Sequence, residues 1–230
     1  MSDGGLAARI GGSVGAFDRD QWNALAGTDN PFVSYEFLTA LEDSGSVGAG
    51  TGWQPAPLVI SEDDGPLLAA MPAYLKGHSQ GEYVFDHNWA DAYERAGGNY
   101  YPKLQIAAPF TPATGPRLLL SDDAFAAPLL AAAEQLCLQN RFSGAHATFI
   151  EPAQQPLFEA AGWMLRADIQ FHWHNHGFAS FDEFLETLAS RKRKDLRKER
   201  AAAQAEVEIR RLSGDDIQSE HWDAFWRFYQ

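Results

Sequence analysis

Leu104-Gln-Ile-Ala-Ala-Pro-Phe110, Thr111-Pro-Ala-Thr-Gly-Pro-Arg117 and Leu118-Leu-Leu120 follow one another without a break, and their reading decides the fold. The first is apolar enough for a buried strand, the second is a turn stiffened by proline and glycine, and the third is a short strand. Downstream, Ser121-Asp-Asp leads into a helix from about Phe125 to Asn140. A strand Ala147–Ile150 ends at Glu151-Pro152, a helix Gln155–Ala161 ends at Gly162, and Met164–Trp173 is a further strand. This βαβαβ order predicts an α/β (mixed α+β) protein, a mixed sheet flanked by helices.

Toward the N-terminus, Ala7–Ile10 with Val14 suggests an opening strand. Asp18 is placed to cap a helix, Gln21 to reach back to the cap, and Phe17 and Trp22 to form a hydrophobic staple. A second helix near Phe32–Glu42 stops toward Gly45, and Gly45–Gly52 is a glycine-rich connection. Strands Ala56–Ser61 and Leu67–Tyr74 are joined by the turn Glu62-Asp-Asp-Gly65. From Glu82 to Lys103 the chain is unusually aromatic, neither cleanly helical nor cleanly alternating.

Toward the C-terminus, Ser180 to Arg200 reads as one capped helix: Ser180 and Glu183 form a capping box, and Phe181, Phe184, Leu185, Leu188 and Leu196 form its apolar stripe. Arg191–Arg200 holds seven basic and two acidic residues, +5, in a chain of net charge −13, so the remainder carries −18. Cations in the later turns of one long helix complement its dipole, but that accounts for two or three of them. The rest point to an anionic ligand, with Arg191, Lys192, Arg193, Lys194 and Arg197 as the binding set. A strand Glu206–Leu212 and an amphipathic helix Asp216–Tyr229 follow. The aromatic stripe of that helix has little sequence after it, which reads as a further αβα unit cut short.

The 230 residues suffice for one large or two small domains, with a composition that is ordinary for a globular protein. The lone Cys137 excludes an internal disulfide and suits a reducing, cytoplasmic setting. Met1-Ser-Asp-Gly-Gly lacks the basic and apolar regions of a secretory signal, and no apolar run approaches a membrane span. His172, His174 and His176 alternate, yet no acidic or thiol ligand stands beside them, so no metal is expected.

Several ordered stretches carry a resemblance: Gly81-Glu-Tyr-Val-Phe-Asp86, Trp89-Ala-Asp-Ala-Tyr93, Tyr100-Tyr-Pro-Lys103, Pro109–Arg117, Phe149-Ile-Glu-Pro152, Phe171-His-Trp-His-Asn175 and Ser190–Lys198. Together they resemble the FemAB-like acyltransferase group within the wider GNAT (Gcn5-related N-acetyltransferase) superfamily, over Asn30–Tyr229. The resemblance implies a first GNAT-like domain over 1–178 and, over 179–230, the basic helix and truncated start of a second. It also implies peptidoglycan-related N-acyl transfer from acyl-CoA or aminoacyl-tRNA to an amine, on a small molecule or a cell-wall peptide, with a tRNA acceptor end as a further partner. One departure stands out. The superfamily's pyrophosphate loop (Arg/Gln-x-x-Gly-x-Gly/Ala) does not appear; Thr114-Gly-Pro-Arg117 is the nearest substitute, and Pro116 removes a backbone donor.

Amine acylation needs a carboxylate to take the amine's proton. Asp86 is the first candidate, with Glu94 and Asp91 behind it. Tyr93, Tyr100 or Tyr101 would donate to a leaving thiolate or line the pocket. Trp89, Asp91, Lys103, Thr111 and Thr114 complete the expected substrate set, with Arg117 as a bidentate partner for carboxylate or phosphate. The plainer readings are a solvated polar loop with aromatic anchors for residues 86–103 and a stiff turn with an exposed arginine for 111–117. The rival function is a non-catalytic domain that recognises a peptide or glycan precursor.

Overall fold

The computed structural model describes residues 6–62, 65–84 and 86–230. The chain forms two compact units, Met1–Ala167 and Asp168–Gln230.

The first unit holds two four-stranded sheets rather than the single mixed sheet that the element order suggested. Sheet A joins β1 (Leu6–Ile10), β3 (Leu58–Glu62), β4 (Leu67–Met71) and β7 (Leu119–Leu120), all antiparallel. Sheet B joins β2 (Trp53–Pro55), β5 (Ala73–Lys76), β6 (Lys103–Ile106) and β8 (Ala145–Ala147); its β6–β8 pair is parallel. The run Leu67–Tyr74, expected as one strand, is divided between the sheets at Pro72, which has no N–H for a continuous ladder. Residues 63 and 64 of the expected 62–65 turn lie outside the described residues.

Helix α1 (Arg19–Ala26) starts as its sequence dictates. Asp18 accepts from the Gln21 N–H at 2.9 Å, and Phe17 stacks on the buried Trp22 with centroids 6.1 Å apart. Gln21 does not reach back; its side-chain oxygen accepts from Leu67 N at 2.9 Å and ties the helix to β4. Removing the cap with Asp18→Ala is expected to lower the unfolding free energy by about 1 kcal/mol, read by urea denaturation. A loss below a few tenths would show that the neighbouring Gln21–Leu67 bond holds the helix start alone. Helix α2 (Tyr35–Asp43) is capped by Ser34. The long α4 (Ala126–Asn140) buries Leu129, Leu130, Ala133 and Leu136 in the main core, with α5 (Gln155–Ala160) contributing Phe158.

The faces of sheet B differ in kind. Side chains alternate along a strand, so the registers Lys76↔Lys103, Tyr74↔Gln105 and Gln105↔His146 place these residues on one face together with Trp53. Ala73, Leu75, Leu104, Ile106, Ala145 and Ala147 occupy the other, in the main core. At the lysine end of this face Ser79, Glu82, Asp86, Tyr100 and Tyr101 form the cover, from the stretches 77–84 and 86–102; the latter includes α3 (His87–Arg95), a helix whose aromatic and acidic sequence gave no clear period.

From Met164 onward the chain departs further from the sequence reading. Met164–Trp173 and Glu206–Leu212 are not strands; no ladder forms along either, and Met164, Ile169 and Phe171 are largely exposed. Alternation marks a face, but a strand also needs a partner for its backbone groups. The expected 180–200 helix is two helices, α6 (Phe181–Glu186) and α7 (Ser190–Gln204). At the break, Thr187 Oγ1 bonds back to the Phe184 carbonyl at 2.7 Å, and Leu188 N bonds to the Leu185 carbonyl at 3.0 Å. A last helix, α8 (Ser219–Tyr229), exposes its aromatic stripe.

Candidate active site

Two lysines end two apolar strands of sheet B, and both side chains are fully buried. Burying an ammonium is costly unless it is paired and hydrogen-bonded, so its partners define the site. Lys103 Nζ donates to Asp86 Oδ2 at 2.6 Å, to Glu82 Oε2 at 2.8 Å and to Ser79 Oγ at 3.0 Å. All three acceptors come from the covering segment. Tyr100 and Ser79 also donate to Asp86 Oδ2, at 2.8 and 3.0 Å, and Tyr101 Oη lies 2.7 Å from Ser79 Oγ.

Lys76 lies over the Trp53 ring, 3.5 Å from its centroid, and donates to the Gln80 carbonyl at 3.1 Å. Its ammonium is 4.0 Å from Glu82 Oε1. Gly81 lets the chain turn here at φ 78°, and a Cβ in its place would meet the Phe110 ring.

Electrostatics follow from this crowding. Burial pushes Lys76 down to about 7, partly offset by Glu82, and pushes the Glu82 carboxyl up, partly offset by Lys103. His146, on the same face, is pushed down to about 4 by burial and by Lys103, so its ring is neutral at pH 7. Tyr100 is raised by burial and by its bond to Asp86.

Asp86 behaves differently. Burial raises it, but the bonds from Lys103, Ser79 and Tyr100 outweigh burial and hold it below the ordinary carboxylate range. A carboxyl depressed in the folded state contributes stability that is present above its unfolded pKa and is lost as pH falls through the folded value. Stability is therefore expected to decline on acidification below about pH 4, with a shallower decline in Asp86→Asn. Urea titrations at stepped pH check this; an equal slope in both proteins would remove Asp86 as its source.

Of the residues singled out from sequence, the fold brings Asp86, Tyr100, Tyr101 and Lys103 together. Asp86 takes the N-cap position of α3, yet its carboxylate leaves the helix end for Lys103. Trp89, Asp91, Tyr93 and Glu94 project from the exposed faces of α3; Tyr93 alone meets the cluster, edge-on to Tyr100 with centroids 6.1 Å apart.

The 111–117 turn stands apart from the cluster. It borders a separate cleft of about 320 Å³ with Asp29, Asn30 and Glu151, into which Thr114 and Gly115 face. Thr111 bonds to the Pro109 carbonyl at 3.0 Å. Arg117 is neither the anion grip of the one sequence reading nor the exposed arginine of the plainer one. It is buried, and its guanidinium donates to the carbonyls of Thr148, Pro116 and Ala113 at 2.7, 3.0 and 2.8 Å. Burial lowers it to about 10, and its donors go to the main chain.

In the second unit, Arg191, Lys192, Arg193 and Lys194 fall within the first five residues of α7, because the helix restarts at Ser190. They face the positive end of its dipole, so the dipole explanation offered by one long helix does not hold. Arg197 pairs with Asp182 at 2.9 Å; the other four enter no ion pair among the described residues. No group of three or more His, Cys, Asp or Glu placed to hold a metal occurs among the described residues, the three alternating histidines included.

Sequence reasoning missed Lys76, Ser79, Glu82, Gln105 and His146. A lysine closing an apolar run was the available signal for Lys76; Glu82 gave none.

The FemAB_like family model, described as peptidoglycan biosynthesis/recognition, matches residues 13–230. No curated protein matches the chain. Among solved structures, two of the aminoglycoside N-acetyltransferase AAC(6')-Iy are each 13% identical with a TM-score of 0.43, covering 74% of this chain. One contains CoA, and the other a bisubstrate analogue, CoA-S-monomethyl-acetylneamine; 95% and 99% of their own chains are covered. A mutant of TTHA1254 from Thermus thermophilus is 14% identical, with a TM-score of 0.40, over 74% of this chain and 99% of its own. Among the described residues no helix is long and apolar enough to cross a membrane.

Proposed function

The chain belongs to the FemAB-like family of peptidoglycan biosynthesis/recognition, and from that membership we propose that it is an N-acyltransferase acting on the amine of a cell-wall peptide precursor. The observation that carries the reading is the buried pair of carboxylates on Lys103, each with one oxygen left without a hydrogen bond. In the reaction, the amine nitrogen attacks the carbonyl carbon of a thioester. The C–N bond forms, the C–S bond breaks, the nitrogen loses its proton to a carboxylate, and the thiolate leaves.

Of the two carboxyls Glu82 suits proton acceptance better than Asp86. Burial raises its basicity and it takes one hydrogen bond, from Lys103, whereas Asp86 is depressed by three donors. Tyr100 and Tyr101 are the neighbouring hydroxyl donors, while Tyr93 stands edge-on to Tyr100 at the rim. Acyl-CoA is the donor that the GNAT resemblance implies, and the unpaired cations Arg191–Lys194 suit its phosphates or those of another polyphosphate carrier.

The test follows free thiol released from acetyl-CoA and longer acyl-CoAs in the presence of lysyl peptides. Amine-dependent release supports the reading. Thermal stabilisation by the peptides without thiol release from any donor would leave a recognition domain instead.

A further inference from the structure

Glu82 stands between two residues in the left-handed region, Gly81 at φ 78° and Tyr83 at φ 55°. That backbone is unfavourable for a tyrosine, and it persists only where its surroundings hold it. One atom does much of the holding. The Gln80 carbonyl, two residues before Glu82, accepts from Trp53 Nε1 at 3.1 Å and from Lys76 Nζ at 3.1 Å. Gly81 then packs without a Cβ against Phe110, whose ring centroid lies 5.4 Å from that of Trp53.

Trp53 acts a second time through Lys76. The ammonium sits 3.5 Å from the centroid of its ring, on a face that favours the charged over the neutral amine. Charged, Lys76 stands 4.0 Å from Glu82 Oε1 and draws that carboxyl toward its ionised form, the form able to take a proton. Burial raises the Glu82 carboxyl; Lys103 and Lys76 lower it and Asp86 raises it further, with Tyr100 in the same field. Glu82, Lys103 and Asp86 are likewise the groups that face Lys76. Trp53 itself is buried, so its influence on a reaction passes through these partners.

Resting on the acyl-transfer reading above, we propose that Trp53 is a positioning residue for Glu82: its N–H fixes the Gln80 carbonyl, and its ring face holds the Lys76 ammonium beside the Glu82 carboxylate. Carbon-13 NMR of glutamate-labelled protein follows the Glu82 carboxyl through a pH titration, its signal assigned by its loss in Glu82→Gln. Thiol release from acetyl-CoA with a lysyl peptide gives kcat and KM over the same pH range. In Lys76→Met the Glu82 midpoint is expected to rise by about 1 unit or more, the scale of one opposite charge at this distance. Trp53→Phe loses the N–H and weakens the ring face, and a smaller rise is expected. The acid limb of kcat follows the midpoint upward in both, about tenfold in rate per unit, while KM stays within about twofold.

Trp22→Phe is the control. Trp22 is equally buried and its Nε1 also donates to a carbonyl, that of Val33 at 3.0 Å, but in another cluster. It is expected to cost stability and to leave the Glu82 midpoint and the acid limb in place. Should Trp53→Phe not fold, protein carrying fluorinated tryptophan keeps the packing and weakens the ring face, and the same rise is expected. A midpoint unmoved in folded Trp53→Phe, or moved equally by Trp22→Phe, reduces Trp53 to packing and overturns the proposal. Midpoints that move as expected in a protein releasing no thiol would sustain the Trp53–Lys76–Glu82 coupling and remove the enzyme reading. Thiol release with unmoved midpoints would do the reverse.

Discussion

Lys103→Met is expected to lower the unfolding free energy by about 3–5 kcal/mol, because it leaves two buried carboxylates without their shared counter-charge. The side chains of Lys103, Glu82 and Asp86 are almost entirely excluded from solvent, so water does not replace the lost bonds. Urea denaturation measures the loss. The cause is separable from lost packing, since methionine keeps most of the lysine stem. Adding Glu82→Gln and Asp86→Asn to Lys103→Met removes the stranded charges, and the triple variant is expected to recover part of the stability. A triple variant less stable than Lys103→Met would mean that the aliphatic stem, not the charge, held the cover.

Glu82→Gln is expected to reduce the acyl-transfer kcat by about 100-fold or more while the chain stays folded, the range for losing a positioned base. Glutamine keeps the shape and still accepts from Lys103, and Lys103 retains Asp86 as its counter-charge. Lys76 loses its nearest carboxylate and keeps the weaker pull of Asp86. Asp86→Asn supplies the contrast. Asp86 serves chiefly to hold Lys103 and Tyr100, so its replacement is expected to cost stability more than turnover. The reverse ranking of the two variants would return the base role to Asp86.

Short-range chemistry was legible in the sequence. The Asp18 cap and the Phe17–Trp22 contact depend on residues three to five apart and took the form their spacing implies; of the Ser180–Glu183 box, Ser180 accepts from Glu183 N as expected, while the Glu183 carboxylate takes the Ala179 N–H instead of closing the box. Features set by distant partners were not. Gln21 had a local role open to it and took a bond to Leu67 instead. Met164–Trp173 and Glu206–Leu212 alternate as strands do, but no neighbouring backbone completes a ladder. Pro72 was a visible break that the apolar run around it concealed.

The site shows the same division. Asp86, Tyr100, Tyr101 and Lys103 stood out because they crowd an aromatic stretch near one strand. Lys76 and Glu82 did not, since what makes them matter is register. Only the Lys76↔Lys103 pairing brings the two ammonium groups side by side, and only the folding back of Glu82 and Asp86 supplies their carboxylates. Arg117 erred in the other direction. Its flanking threonines and turn suggested an open grip, whereas three backbone carbonyls claim its donors.

The most direct measurement is the NMR signal of the lysine side-chain ammonium groups during titration with a lysyl peptide. Chemistry seated on the covered face of sheet B predicts that the solvent-shielded Lys103 signal shifts saturably, with Lys76 moving in step. An unmoved Lys103 signal under saturating peptide, with the response confined to other lysines, would contradict it.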